Sequence, residues 1–265
     1  MSINISSHFV FELDEPTDCL MQFEAASLPE QEISSVRTLL DPSDTAVRVP
    51  AQDGIGERIW MRAKGRVEVS YEAEATIARI APDMSSLDQL PTHMLPGEAV
   101  QYLLDSRYCR ADQFQHFVAS RFGSSTGGKR VAAIRDWVAH NFSYVPGSSN
   151  VQTDAAESFI TRQGICRDYA HMVVALARAS TIPARYVAGY APGVSPQDFH
   201  ALAEVFLADP NNAGGGTWQL VDATGMASAM DTVKIGVGRD AADVSFLTTF
   251  GPNRFLESRV SVHGN

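Results

Sequence analysis

Between residues 9 and 71 the apolar positions come in short runs. Residues 9–13, 20–24, 58–62 and 66–71 each alternate apolar and polar side chains or cluster β-favouring ones. Gly54, Gly56 and Gly65 fall between these runs and are read as turns. No three- or four-residue period interrupts the pattern, so this part predicts a small β-sandwich. Residues 81–96 then place Pro82, Pro91 and Pro96 among polar neighbours, which disfavours both helix and central strand. The linker is expected there, with domains at residues 1–90 and 91–265.

Past the linker the period becomes helical. Val131, Ile134, Val138 and Phe142 recur at three- and four-residue steps and predict a helix that ends before Pro146. Asp154, with Glu157 three residues on, has the spacing of a helix cap. Residues 166–180 are helix-forming throughout, carry an apolar run over 172–177, and stop ahead of Pro183. Residues 185–190, 203–207 and 217–221 read as strands, the last two joined by the turn-rich DPNNAGGG as a hairpin. Helices followed by strands, without strict alternation, mark an α+β fold.

Composition narrows the function classes. The 265 residues are 45% hydrophobic and 20% charged, which suits a folded chain with a sizeable core. Lys and Arg number 21 against 31 Asp and Glu, a net charge of −10, with no basic cluster to offset it. Such a surface repels phosphate backbones and anionic lipid, so neither nucleic acid nor membrane is an expected partner. The N-terminal stretch lacks the basic and apolar segments of a signal peptide. Three widely spaced cysteines do not form a disulfide framework, and a reducing cytoplasm is the expected location. The absence of CxxC and HExxH motifs leaves no metal site to expect.

The candidate chemistry centres on Cys166. Gly164-Ile165-Cys166 puts the thiol at the first turn of the predicted helix, where unpaired N–H groups favour thiolate. Gly164 is read as permitting a sharp turn and close substrate approach, and the Cys166 amide as a donor to a developing oxyanion. His200 precedes one strand of the predicted hairpin and Asp222 ends the other. An imidazole beside a thiol supplies the base, and a carboxylate fixes the ring's tautomer. A symmetric turn would pair His200 with residue 225, three residues off Asp222, and a bulge or asymmetric loop is expected to close that gap.

Several other residues are weighed beside these. Tyr144 is a candidate pocket or oxyanion residue, and Tyr190 is weighed for the same role against one as a core aromatic. Arg167 and Asp168 are read as a surface or intersubunit ion pair, His171 as structural, and Trp218 as a packed strand residue. Cys19 and Cys109 are read as ordinary thiols.

The blocks RQGICRDYAHMVVALARASTIPARYVAGY, DFHALAEVFL and WQLVDATG closely resemble bacterial transglutaminase-like cysteine proteases. Cys166, His200 and Asp222 fall on that family's Cys, His and Asp. The resemblance continues through NFSYVPGSS, TDAAESF, LPGEAVQYLLDSRYC and IGVGRDAADVSF, and RIWMRAKGRVEVSYEA resembles the family's β-rich N-terminal domain. Arg239, Asp240 and Asp243 belong to one of these signatures and are read as pinning a loop. Leu202 and Ala223 stand where the family commonly has Trp and Pro.

The resemblance implies a papain-like, transglutaminase-like catalytic domain behind the β-sandwich, acting on peptide or protein amides through a thioester. It needs no cofactor. Hydrolysis is the favoured outcome; amine transfer of the transglutaminase type, acyl transfer from a thioester to an arylamine, and a non-catalytic binding module retaining the cleft are the alternatives.

Overall fold

The computed structural model describes residues 2–42, 46–212 and 214–264. Strands β1 (Ser2–Met21), β2 (Gln31–Asp41), β3 (Val47–Pro50) and β4 (Glu57–Ile77) come first. Helices α1 (Gly97–Val100), α2 (Gln115–Phe122) and α3 (Gly127–Asn141) follow, then β5 (Ser143–Tyr144), α4 (Ala155–Thr161), β6 (Gln163–Gly164) and α5 (Cys166–Ala179). The chain ends in β7 (Ala184–Tyr190), β8 (His200–Ala208), β9 (Gly216–Val221), β10 (Val233–Gly238), β11 (Leu247–Thr249) and β12 (Arg254–Gly264).

The strand-rich N-terminal part forms one continuous antiparallel sheet, where the sequence suggested the separate short strands of a small sandwich. Residues 9–13 and 20–24 merge into β1, and 58–62 and 66–71 into β4. The physical reason is a bulge. Pairing between β1 and β4 shifts register between Leu13 and Thr17, and Gly65, expected as a turn, sits opposite Leu13 with a φ of +79° that lets β4 continue. The odd-numbered side chains of both strands fill one core face, from Ile3, Phe9 and Phe11 to Val67, Val69 and Tyr71.

Strands β11 and β12 pair with β1. The N-terminal sheet is therefore completed by the chain's last residues, which a division at residue 90 assigns to the other domain. Its core reaches the second sheet directly: the buried Tyr190 hydroxyl donates to the Phe23 carbonyl at 2.6 Å, and Val233 and Ile235 pack in the same cluster.

The second sheet runs β10-β7-β8-β9, all antiparallel. Its core lies on α5, whose residues Tyr169 to Arg178 are all buried. That burial explains why the apolar run in α5 shows no polar stripe. The amphipathic α3 covers α5 through Val131, Ile134 and Val138. Among the described residues no helix is long and apolar enough to cross a membrane.

Candidate active site

Topology brings three distant side chains to one end of the second sheet. Helix α5 has 14 residues and β7 has seven, spans of about 21 and 23 Å at ordinary rises, so the return along β7 ends near the level of Cys166. Strand β8 starts there with His200, which pairs with Gly189 near the end of β7. Strand β9 runs back to finish beside it, and Asp222 follows its last residue.

His200 Nε2 lies 3.0 Å from Asp222 Oδ2. The expected bulge is not how this happens. Register between β8 and β9 holds without a shift from Ala208↔Gly216 to Ala203↔Val221. Continued by one step, it places Asp222 opposite Leu202, two residues along β8 from His200. The two side chains share a face and meet as diagonal neighbours, within reach across an antiparallel pair. Gly214, Gly215 and Gly216 in the loop are not needed for it.

Asp222 is held from several sides. Its Oδ1 accepts from the Thr224 amide at 2.8 Å and the Thr224 hydroxyl at 2.7 Å, and its Oδ2 accepts from the Ala227 amide at 2.8 Å. Burial opposes its charge, but His200 and Thr224 outweigh burial and hold the carboxyl below its ordinary value. Ala223, in the family's proline position, is buried and leaves this turn intact.

His200 is 2% exposed, and its other nitrogen, Nδ1, is buried without a hydrogen-bond partner. Burial works against the charged ring; the Asp222 hydrogen bond and then Cys166 outweigh it and raise the imidazole to about 9. Since Asp222 occupies Nε2, the nitrogen left to face Cys166 is Nδ1. Cys166 itself is partly exposed at the first position of α5.

What fixes the thiol's position is Asp168, which the sequence reading took for a surface or intersubunit partner of Arg167. Asp168 is fully buried. Its Oδ2 accepts from the Ile165 amide at 2.8 Å, capping α5, and from the Ser149 hydroxyl at 2.6 Å. Arg167 does pair with its Oδ1 at 3.1 Å and also donates to the Asn150 carbonyl at 2.7 Å.

Gly164 is required for this cap rather than for a turn or a substrate: a Cβ there would stand 2.5 Å from Asp168 Cβ and 2.8 Å from its Oδ2. The Gly164→Ala variant should lose roughly 1–3 kcal/mol in thermal unfolding through overpacking, and alkylate Cys166 with an altered rate. Unchanged stability and labelling would show that Asp168 is not wedged as described.

Tyr144 pairs with Gly164 in the short parallel β5–β6 ladder, and the Val145 amide donates to the Gly164 carbonyl at 2.9 Å. Its hydroxyl lies against Cys166. Burial, then the electrostatic influence of neighbouring Cys166, push it up to about 12, so it stays a neutral donor. Tyr190 is not at the site; it joins the two sheets.

Cys166, His200 and Tyr144 line a cleft of about 600 Å³. Tyr108, Tyr186, Phe199, Val244 and Phe246 make most of its wall apolar. The segment singled out in RDAADVSF forms one side of it. Asp240 accepts from the Tyr108 amide at 2.8 Å, Arg239 pairs with Asp243 at 2.8 Å, and the Ala241 amide donates to His171 Nε2 at 3.1 Å. Buried His171, pushed down to about 3 mainly by burial, is a neutral acceptor there.

Residue-by-residue reading missed Gln22, Asp198, Phe246 and Leu247 as cleft residues: Gln22 and Leu247 lie outside the motif blocks, and Asp198 and Phe246 lie inside DFHALAEVFL and IGVGRDAADVSF, whose pattern does not say which side chains face the cleft. Among the described residues no group of three or more His, Cys, Asp or Glu is placed to hold a metal ion.

The sequence model of the transglutaminase-like superfamily matches residues 115–223, from the start of α2 to just past Asp222. A solved structure described as a candidate cysteine protease from Cytophaga hutchinsonii is similar over 99% of this chain and 90% of its own, at 31% identity and a TM-score of 0.90. The chain belongs to the transglutaminase-like superfamily. The chain is also similar to the uncharacterized Mycobacterium leprae protein ML0607, at 28% identity over 44% of this chain and 42% of that one. Mycobacterium tuberculosis protein Rv2569c matches at 32% identity over 43% of this chain and 40% of its own. The chain thus spans about two-fifths of the length of these curated relatives. The Cytophaga likeness, by contrast, includes the N-terminal sheet, which marks that sheet as part of a shared architecture.

Proposed function

We propose that the protein is a thiol-dependent hydrolase of peptide or protein amides, with Cys166 as nucleophile, His200 as acid and base, and Asp222 as the group that orients the ring. The observation that carries this reading is the imidazole held at Nε2 by Asp222 with its opposite nitrogen buried and unpartnered beside the cleft that Cys166 lines. Buried His171 also leaves its Nδ1 unpartnered, so what sets His200 apart is its place in the wall of the cleft beside Cys166 together with the Asp222 carboxylate at Nε2.

In this mechanism the Cys166 proton passes to His200 Nδ1 and the thiolate sulfur attacks the carbonyl carbon. The Cys166 amide and the Tyr144 hydroxyl donate to the oxyanion. The C–N bond breaks, His200 returns the proton to the leaving amine, and a thioester remains on Cys166. Water then attacks the thioester, giving its proton to His200; the C–S bond breaks, and the acid and the thiol are released. Asp222 keeps Nε2–H as its donor throughout and stabilises the imidazolium that each step forms.

The test is a covalent trap. The protein is mixed with a peptide-amide library, quenched in acid, and searched by mass spectrometry for an acyl adduct on Cys166. The wild type should show one and Cys166→Ala none. The background is low, since Cys19 and Cys109 are both 0% exposed and burial raises both thiols, Cys19 to about 11. Iodoacetamide should accordingly modify the native protein once, at Cys166. A wild type that never accumulates adduct or product, and whose Cys166 alkylates no faster than a free thiol, would overturn the hydrolase reading.

A further inference from the structure

The wall of the catalytic cleft holds one charge that the mechanism does not use. Asp198 lines the cleft at its rim, an exposed residue whose carboxyl is partly desolvated by the surrounding wall. Its carboxylate accepts only from the amide of the next residue, Phe199, at 2.8 Å, and has no cationic partner among the described residues. The cleft's cations are already engaged, Arg167 by Asp168 and the Asn150 carbonyl and the His200 ring by Asp222. The remaining wall is largely apolar, and such surroundings disfavour an uncompensated carboxylate. Burial raises Asp198 above the ordinary carboxylate range, and its charge is felt at the Tyr144 hydroxyl.

Its position says which part of a substrate it meets. Asp198 precedes His200 by two residues, at most about 7 Å along an extended chain. In the hydrolysis proposed above, on which this inference rests, His200 delivers its proton to the leaving amine, so the amine portion of the substrate lies on the imidazole's side of the thiol. A carboxylate beside that position complements a positive charge on the leaving group, whereas a negative one would be repelled.

We propose that Asp198 is the specificity-determining residue for the amine side of the reaction, selecting amides whose leaving group carries a lysine- or arginine-like cation. The charge of the acyl side is left unselected, because the rest of the cleft is apolar or already paired.

Two measurements test it. Internally quenched peptides, built on a sequence recovered from the covalent trap and differing only in Lys, Gln or Glu after the scissile bond, report selection directly. The wild type should favour Lys over Glu by roughly tenfold or more in kcat/KM; Asp198→Asn should collapse that ratio to about threefold or less, and Asp198→Lys should reverse it.

The second uses no turnover: Cys166 is modified with trimethylammonium-ethyl and sulfonato-ethyl methanethiosulfonate. The ratio of the cationic to the anionic rate should fall roughly fivefold in Asp198→Asn, as expected for removing one nearby charge. A Lys-to-Glu preference unchanged by Asp198→Asn overturns the proposal, as does an unchanged reagent ratio. If the wild type cleaves no peptide, the hydrolytic reading fails and the reagent ratio alone decides whether Asp198 selects cations.

Discussion

Asp222→Ala should lower kcat by roughly 10³- to 10⁴-fold on whatever peptide the trap identifies, with KM changing far less. The carboxylate does not touch the reacting atoms. In the proposed mechanism it acts by holding Nε2–H and by stabilising the charged ring, which matters most when the imidazolium forms. The same variant should move the imidazole's titration. In the native protein Asp222 and Cys166 overcome burial and raise His200 from 6.5 to about 9. Without Asp222 it should fall back toward the ordinary value or below, which NMR of the ring protons reads directly.

The linkage has a definite sign. A raised histidine pKa stabilises the fold fully below pH 6.5, and that contribution is lost as pH rises through about 9. Wild-type melting temperature should therefore decline across this window, and Asp222→Ala should show a shallower decline. A variant that keeps its kcat, or whose imidazole titrates where it did before, would remove Asp222 from the mechanism.

Glu204→Gln should be the most destabilising single change away from the site. Glu204 is fully buried on β8, with Oε2 2.7 Å from Arg185 Nη2 and Oε1 2.6 Å from Lys234 Nζ. Arg185 continues to Asp53 at 2.9 Å and stacks 4.0 Å over Trp218, while Asp53 also accepts from the Tyr102 hydroxyl at 2.7 Å. Neutralising the central carboxylate removes the charge between two buried cations and leaves Arg185 with Asp53 and Lys234 with Glu30 as their remaining ion pairs. The expected cost is about 3–5 kcal/mol, on the order of 10 °C in melting temperature for a chain of this size.

Burial alone would raise this carboxyl, but Arg185 and Lys234 outweigh it and bring it down to about 2. Its stabilisation is thus whole above the ordinary value of 4.5 and is lost as pH falls toward 2. A Glu204→Gln protein within about 1 kcal/mol of wild type would show that the network contributes little beyond packing. Trp218, read from the sequence as a packed strand residue, is the lid on this cluster.

Much of the site was legible because its signals are local. Cys166 at a helix start follows from Gly164 and the helix-forming run after it. The Asp154 cap is present as expected, accepting from the Glu157 amide at 2.9 Å. The strand ends carrying His200 and Asp222 follow from the alternation in β8 and β9 and the turn residues between them. Register did not follow, because loop composition constrains it only loosely, and a diagonal contact needs no bulge. Asp168 was misread because an Arg-Asp neighbour pair looks like a surface ion pair until the helix cap shows which way the carboxylate points.

The N-terminal sheet shows the same limit at larger scale. Short apolar runs marked β-structure correctly, yet a bulge and a turn carry similar residues, so β1 and β4 read as broken strands. The pairing of β11 and β12 with β1 joins residues more than 200 positions apart, and no local pattern encodes such a contact.

By itself, then, the amino-acid order determined the α+β class, the family and the three side chains that carry the candidate chemistry, because periodicity, caps and motif blocks are properties of neighbouring residues. Only the tertiary structure decided which nitrogen of His200 is left for the thiol, that Asp168 rather than a turn sets the position of Cys166, and that an unpaired Asp198 faces the cleft. Those outcomes depend on which strands align and on what each buried polar group finds to bond with, and both are settled when the chain packs.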